Sequence, residues 1–136
     1  MPAAMSLDSP PTPDADAPLD AGPCPVRDVL DRIGDRWSML VLLTLNEAGT
    51  LRFTALKARM ADVSQRMLAQ TLRQLQQDGL VSRTAYSTVP PRVDYALTPL
   101  GQSIMVPLLA LAQWAVDHHG DLLRARAAHQ AAQPLE

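Results

Sequence analysis

The sequence predicts one mainly helical domain with a small β-hairpin, and three observations carry that expectation. Apolar residues recur at the three-and-four spacing of helices in successive stretches from residue 25 onward. Between residues 80 and 97 the pattern changes to the period of two that strands require, on either side of Val89-Pro90-Pro91. Residues 1–23 have neither pattern: they hold six of the twelve prolines, four acids (Asp8, Asp14, Asp16, Asp20) and no base. Such a composition cannot bury enough apolar surface to fold, so these residues are expected to be a disordered tail.

The first helix opens at Cys24-Pro25, because proline's fixed φ suits the first helical position and an N–H there would have no partner anyway. Val26, Val29, Leu30 and Ile33 share one face, and Gly34 ends the helix. Asp35 is the expected N-cap of a second helix through Trp37, Leu40, Val41, Leu43 and Leu45, which is apolar nearly all round and therefore central. Residues 46–50 read as a turn. Phe53, Leu56 and Met60 supply the stripe of a short third helix, and Ser64 is a good N-cap for a fourth.

In that fourth helix Leu68, Leu72 and Leu75 fall within about 60° of arc, while Arg66, Gln70, Arg73 and Gln77 fall within about 60° on the opposite side. A core face thus backs a face of bases and amides, and Asp78-Gly79 stops the helix. Residues 80–86 and 92–97 follow as the two strands of a hairpin with a basic, proline-stiffened tip. Thr98-Pro99 repeats the cap-plus-proline start, and the last long helix is expected to run to about His119, with a kink at Pro107 and Gly120 beyond it. Residues 121–130 then form a further short helix before the end frays. The expected division is therefore a tail at 1–23, a domain at 24–120 and a short helix with a frayed end at 121–136. The long helix carries two apolar stripes, one of Leu100, Ile104, Leu108, Leu111 and Ala115, the other of Met105, Leu109, Ala112 and Val116. One small core cannot cover both. A second copy is the simplest cover, which predicts a homodimer with Leu108, Leu109, Leu111, Ala112 and Trp114 at its interface.

The formal charge of −2 conceals an asymmetry. From Cys24 onward there are twelve bases and ten acids, and between residues 51 and 92 seven bases (Arg52, Lys57, Arg59, Arg66, Arg73, Arg83, Arg92) face two acids (Asp62, Asp78), so an anionic partner is expected for that segment. One cysteine excludes an internal disulfide framework, and no Cys/His cluster has zinc-ligand spacing, which points to a reducing cytoplasm and no metal. No basic, apolar leader opens the chain, and the longest apolar run, residues 39–45, is far below the roughly 20 residues of a membrane span, so no membrane association is expected.

Two short helices joined by a tight turn, the second with a basic-amide outer face and followed by a hairpin, make a winged helix-turn-helix. No cofactor is needed for it to act. Its second helix fits the DNA major groove, where arginine pairs bidentately with guanine and glutamine with adenine, so Arg66, Gln70 and Arg73 are the candidates for base contact. Ser64 and Gln65 at the helix N-terminus offer hydroxyl, amide and backbone donors to a phosphate. Arg92 at the wing is placed to reach a flanking groove or phosphate, and Arg52 and Lys57 to hold the backbone on either side. The bland alternative for each is a solvated side chain, and for the whole a winged-helix module that docks on protein rather than on double-stranded DNA. An enzyme is not expected: no nucleophile with an orienting base, paired carboxylates or phosphate-cradling loop is present, and pairing Cys24 with His118 or His119 leaves no oxyanion site. Trp37 and Trp114 read as packing anchors, with a small effector pocket as the alternative.

The segments Cys24-Pro25-Val26, Ile33-Gly34-Asp35-Arg36-Trp37, Arg52-Phe53-Thr54-Ala55-Leu56, Val63-Ser64-Gln65-Arg66-Met67-Leu68, Leu72-Arg73-Gln74-Leu75, Asp78-Gly79-Leu80-Val81, Val89-Pro90-Pro91-Arg92-Val93-Asp94-Tyr95 and Leu97-Thr98-Pro99-Leu100-Gly101 follow one another in order. In that ordered set residues 24–118 resemble the HxlR-type family of MarR-like bacterial winged-helix transcriptional regulators. The resemblance implies a dimeric DNA-binding regulator whose recognition helix begins near Ser64 and whose dimer is built from the first and last helices. It also implies that Cys24 senses oxidants or electrophiles, as a cysteine at this position does in several members. The position itself is compatible with that role, since a helix N-terminus and the nearby Arg27 both favour a thiolate. With one cysteine, the products open to it are a Cys24–Cys24 bond across a dimer, a mixed disulfide or alkylation. The alternatives are a cysteine that only caps and packs, and a regulator switched by a non-covalent effector.

Overall fold

The computed structural model describes residues 24–133, in the order α1 (Pro25–Ile33), α2 (Ser38–Ala48), β1 (Thr50–Arg52), α3 (Phe53–Arg59), α4 (Gln65–Gln77), β2 (Val81–Tyr86), β3 (Arg92–Leu97) and α5 (Pro99–Ala132). The expected tail at 1–23 lies outside the described residues. Three of the helices, α1, α4 and α5, start where their cap chemistry says they should. Cys24 Sγ accepts the Arg27 N–H at 3.4 Å with Pro25 next in line, Ser64 Oγ accepts the Met67 N–H at 3.0 Å, and Thr98 Oγ accepts the Gly101 N–H at 3.0 Å with Pro99 next. Asp35 caps as expected although the helix itself begins three residues later: its carboxylate accepts the N–H groups of Trp37 and Ser38, both at 2.8 Å, and the Ser38 hydroxyl. Burial pushes this carboxyl up, but those three donors outweigh it and hold Asp35 below the ordinary carboxylate range.

The core is built around α2, which packs against α1, α3, α4, α5, β1 and β3. Val41, Leu42 and Leu45 of α2 meet Leu56 of α3, Leu68, Leu72 and Leu75 of α4, Val81 and Tyr95 of the sheet, and Met105 and Leu108 of α5, all buried. Burying side chains of this size is worth roughly 1.5–3 kcal/mol each, which fixes the angle at which α4 leaves the core.

The sheet differs from the expected two-stranded hairpin. It has three antiparallel strands in the order β1-β3-β2, with Leu51 opposite Tyr95 and Arg52 opposite Asp94 on one side of β3, and Arg83 opposite Tyr95 and Tyr86 opposite Arg92 on the other. Three residues are too few to show a period of two, so the sequence announces a turn at 46–50 and no strand after it. Gly49, at φ 88°, makes the reversal that lets Thr50 turn into the sheet. Leu80, expected in the first strand of the hairpin, instead closes α4: Gly79 at φ 75° and the bonds from Leu80 N–H to Leu75 O (3.0 Å) and Gly79 N–H to Gln76 O (3.0 Å) form a Schellman motif.

The last helix also differs. Instead of ending near His119, α5 runs unbroken through Gly120 to Ala132, so no boundary falls at residue 120. A lone glycine costs a helix only about 1 kcal/mol, which the alanine, leucine and arginine on either side offset. Leu108, expected at a dimer interface, belongs to the chain's own core with Gly101 and Met105, because the face that docks on α2 draws from both expected stripes. Left exposed are Leu100, Leu109, Leu111, Trp114, Val116 and Leu123 on α5, together with Val26, Val29 and Leu30 on α1. By length and composition alone α5 could cross a bilayer, a property no contiguous apolar run in the sequence announced. Its first turns, however, are anchored in the globular core.

Candidate nucleic-acid interface

The helix-turn-helix is α3 and α4, joined by residues 60–64. Val63 and Met60 are buried in this turn, so the two helices are clamped by the same core that holds α2. On α4 the buried set Leu68, Thr71, Leu72 and Leu75 turns the opposite line outward, and Arg66, Gln70, Arg73 and Gln77 are all exposed on it. Ser64 and Gln65 are exposed at its N-terminus. The sequence-derived face is therefore present as one continuous line.

The flanks are more varied than expected. Arg52 is exposed at the end of β1 and Lys57 is half-buried on α3. Arg92 is exposed and also ion-paired within the sheet. It stands opposite Tyr86 where the two strands open into the hairpin loop, with Nε and Nη2 on the two oxygens of the buried Asp94 at 3.0 and 2.9 Å and its guanidinium over the Tyr86 ring at 5.3 Å. Those hydrogen bonds, then burial opposing them, then the fields of Arg92 and Arg52, leave the Asp94 carboxyl below its ordinary range. Register explains the arrangement: Tyr86, Arg92, Thr84, Asp94 and Arg52 share one face of the sheet, so the charges meet there. Arg83, also exposed on the wing, makes no ion pair among the described residues.

A second contact was not legible either. Arg32 on α1 donates from Nε to Asp78, the C-cap of α4, at 2.8 Å. It ties the first helix to the end of α4 across 46 residues of sequence, a distance at which no local pattern carries a signal. Beside it lie two shallow grooves along α4. One of about 470 Å³ is lined by Asp31, Asp35, Arg36, Trp37, Met67, Gln70, Thr71 and Gln74, and one of about 270 Å³ by Arg32, Gln70, Arg73, Gln74 and Gln77. The far end of α4 is stapled to α5: Thr98 N–H donates to Leu80 O at 3.1 Å, and the Thr98 hydroxyl to Gly79 O.

A clamped helix pair that turns a basic-amide line to solvent, with a three-stranded wing beside it, defines a winged-helix transcription regulator. Comparison with known proteins agrees. The HxlR-like helix-turn-helix family pattern matches residues 32–121, and the chain belongs to that family. Over 96 residues, 71% of this chain and 75% of the relative, it is 48% identical to the HTH-type transcriptional regulator YtfH of Escherichia coli. The solved structure of the transcriptional regulator ytfH from Salmonella typhimurium superposes with a TM-score of 0.72 at 42% identity, covering 82% of this chain and 99% of that one. The redox regulator HypR in its reduced form superposes at 0.69 with 34% identity over 74% of this chain and 98% of its own.

Proposed function

We propose that this regulator binds double-stranded operator DNA as a homodimer in the cytoplasm and that Cys24 couples binding to thiol chemistry. The observation that carries the DNA reading is the exposed line Arg66, Gln70, Arg73 and Gln77 on a helix whose other side is locked into the core. Arg66, Gln70 and Arg73 read bases, while Ser64 and Gln65 present donors to a phosphate at the helix N-terminus. Arg52 and Lys57 hold the backbone. Arg92 keeps the wing's shape through Asp94 and offers its remaining N–H groups to a phosphate, while Arg83 stands on the other face of the sheet.

The dimer reading rests on the apolar side chains that one chain leaves in water on α1 and α5, among them Val26, Leu30, Leu109, Leu111 and Trp114, with Ala112 half-buried beside them. Gln113, Asp117, Asp121 and Arg124 interrupt the same helix, which favours a protein partner over a bilayer. The thiol reading is supported by the place of Cys24 at the N-cap of α1, next to that apolar face, and by the relative HypR, which is known in both oxidised and reduced forms. Two Cys24 thiols, one from each protomer, would form one S–S bond, losing two protons and two electrons to an oxidant such as diamide; an electrophile would instead alkylate each sulfur.

The test is a gel-shift titration against the DNA upstream of its own gene, in dithiothreitol and then in diamide, with Cys24→Ser alongside. Specific binding that diamide alters only in the wild type supports both parts. Binding indifferent to diamide and to Cys24→Ser keeps the DNA reading and removes the thiol switch. Absence of specific binding, or binding without the steep salt dependence of phosphate contacts, overturns the DNA reading in favour of protein docking.

A further inference from the structure

The recognition face and the N-terminal segment carry opposite charges, and α1 joins them. Arg66 and Arg73 on α4 and Arg83 on the wing are exposed and make no ion pair among the described residues. Residues 1–23 carry Asp8, Asp14, Asp16 and Asp20 and no Lys or Arg. They end at Cys24, the cap of α1, and the far end of α1 is bonded to the end of α4 through Arg32 and Asp78. We infer that residues 1–23 dock on the Arg66–Arg73–Arg83 face of their own chain and compete there with DNA phosphates. The competitive role rests on the DNA reading above; the docking itself does not.

Reach and concentration permit it. The path from Cys24 along α1 is about 13 Å, and the length of α4 adds about 20 Å at 1.5 Å per residue. Twenty-three residues can span about 75 Å at 3.3 Å each, so every base on the face is within range. A tethered segment meets its site at an effective concentration in the millimolar range, enough for several weak carboxylate–guanidinium contacts to hold part of the population. Because those contacts are exposed, added salt screens them together with the DNA contacts. The segment therefore acts as a filter: non-specific duplex, held by phosphates alone, must displace it with no base contacts to offset the cost, whereas an operator has them.

The full-length chain tests this without truncation. The quadruple variant Asp8→Asn, Asp14→Asn, Asp16→Asn, Asp20→Asn is compared with wild type and with the corresponding four Asp→Glu changes. Amide spectra of the free proteins and Kd for a short duplex of arbitrary sequence are recorded over a salt series. The Asn variant is expected to bind about three- to tenfold more tightly at about 50 mM salt and within about twofold of wild type by about 300 mM, while the Glu variant follows wild type throughout. Amides of Arg66, Arg73 and Arg83 are expected to shift between wild type and Asn variant at low salt only. Superimposable spectra overturn the docking, and shifted spectra with equal Kd overturn the competition. Should no variant bind DNA, the functional reading fails while the spectra still decide the docking.

Discussion

Gly101 sits in the first turn of α5, where the helix crosses the segment that closes the recognition helix. A Cβ added there would stand 2.0 Å from the Leu80 carbonyl oxygen and 3.0 Å from its carbon. Ordinary contact between such atoms needs about 3.5 Å, so α5 and Leu80 must separate by about 1.5 Å. A backbone carbonyl cannot rotate aside as a side chain can, which puts the overpacking cost at the upper end of its range, about 3 kcal/mol. The Thr98 N–H to Leu80 O bond spans the same gap, and losing it adds about 1 kcal/mol, while alanine's better helix propensity returns about 1 kcal/mol. Gly101→Ala is therefore expected to destabilise the fold by about 3 kcal/mol, the reverse of what glycine to alanine does in an open helix, and to lower Tm by about 10 °C. Urea unfolding at fixed protein concentration measures it, with Gln102→Ala, exposed next door, expected within about 0.5 kcal/mol of wild type. A Gly101→Ala protein as stable as wild type would refute the close crossing, and with it the idea that α5 sets the position of α4.

Leu72→Ala is expected to cost about 2–5 kcal/mol in the same assay, because Leu72 is buried among residues with no room to collapse, and a cost below about 1 kcal/mol would contradict the core described. Ser64→Ala should cost about 1 kcal/mol through the lost Met67 cap, and Ser64→Asp should largely restore it. In operator footprints, Gln70→Ala or Arg73→Ala should relax base preference at particular positions, whereas Arg52→Ala should weaken all duplexes alike and reduce the salt slope by about 1; unchanged preference in both α4 variants would remove their base-reading role. Asp94 is held low by Arg92, so its stabilising contribution is present above its unfolded value, near about 3.9, and is lost as pH falls through the lower folded value. The stability gap between wild type and Asp94→Asn should accordingly shrink below about pH 4, and a gap independent of pH would show that the ion pair is not the cause.

Much of the fold was legible because the signals are local. A cap, a proline and a glycine bound α1, Asp35 and Gly49 bound α2 within a few residues, and an apolar period fixes which side of α4 is buried. Asp35 caps α2 as its position announced, and the outer line of α4 emerges as expected. The short β1 was not legible because three residues carry no period, and Gly120 misled because the strength of a helix break depends on its neighbours.

The sequence by itself determined the order of the first four helices and of the hairpin after them, the register of α4's two faces and the excess of base between residues 51 and 92, since propensity, capping and periodicity act over a few residues and need no partner. Only the tertiary structure decided which charges remain free. Strand register sends Arg92 onto Asp94 and leaves Arg83 in water, helix packing bonds Arg32 to Asp78, and the angle at which α5 crosses Leu80 takes Leu108 into the core while leaving Leu111 and Trp114 outside. These outcomes depend on contacts between residues far apart in the chain, whose energies follow from three-dimensional distance.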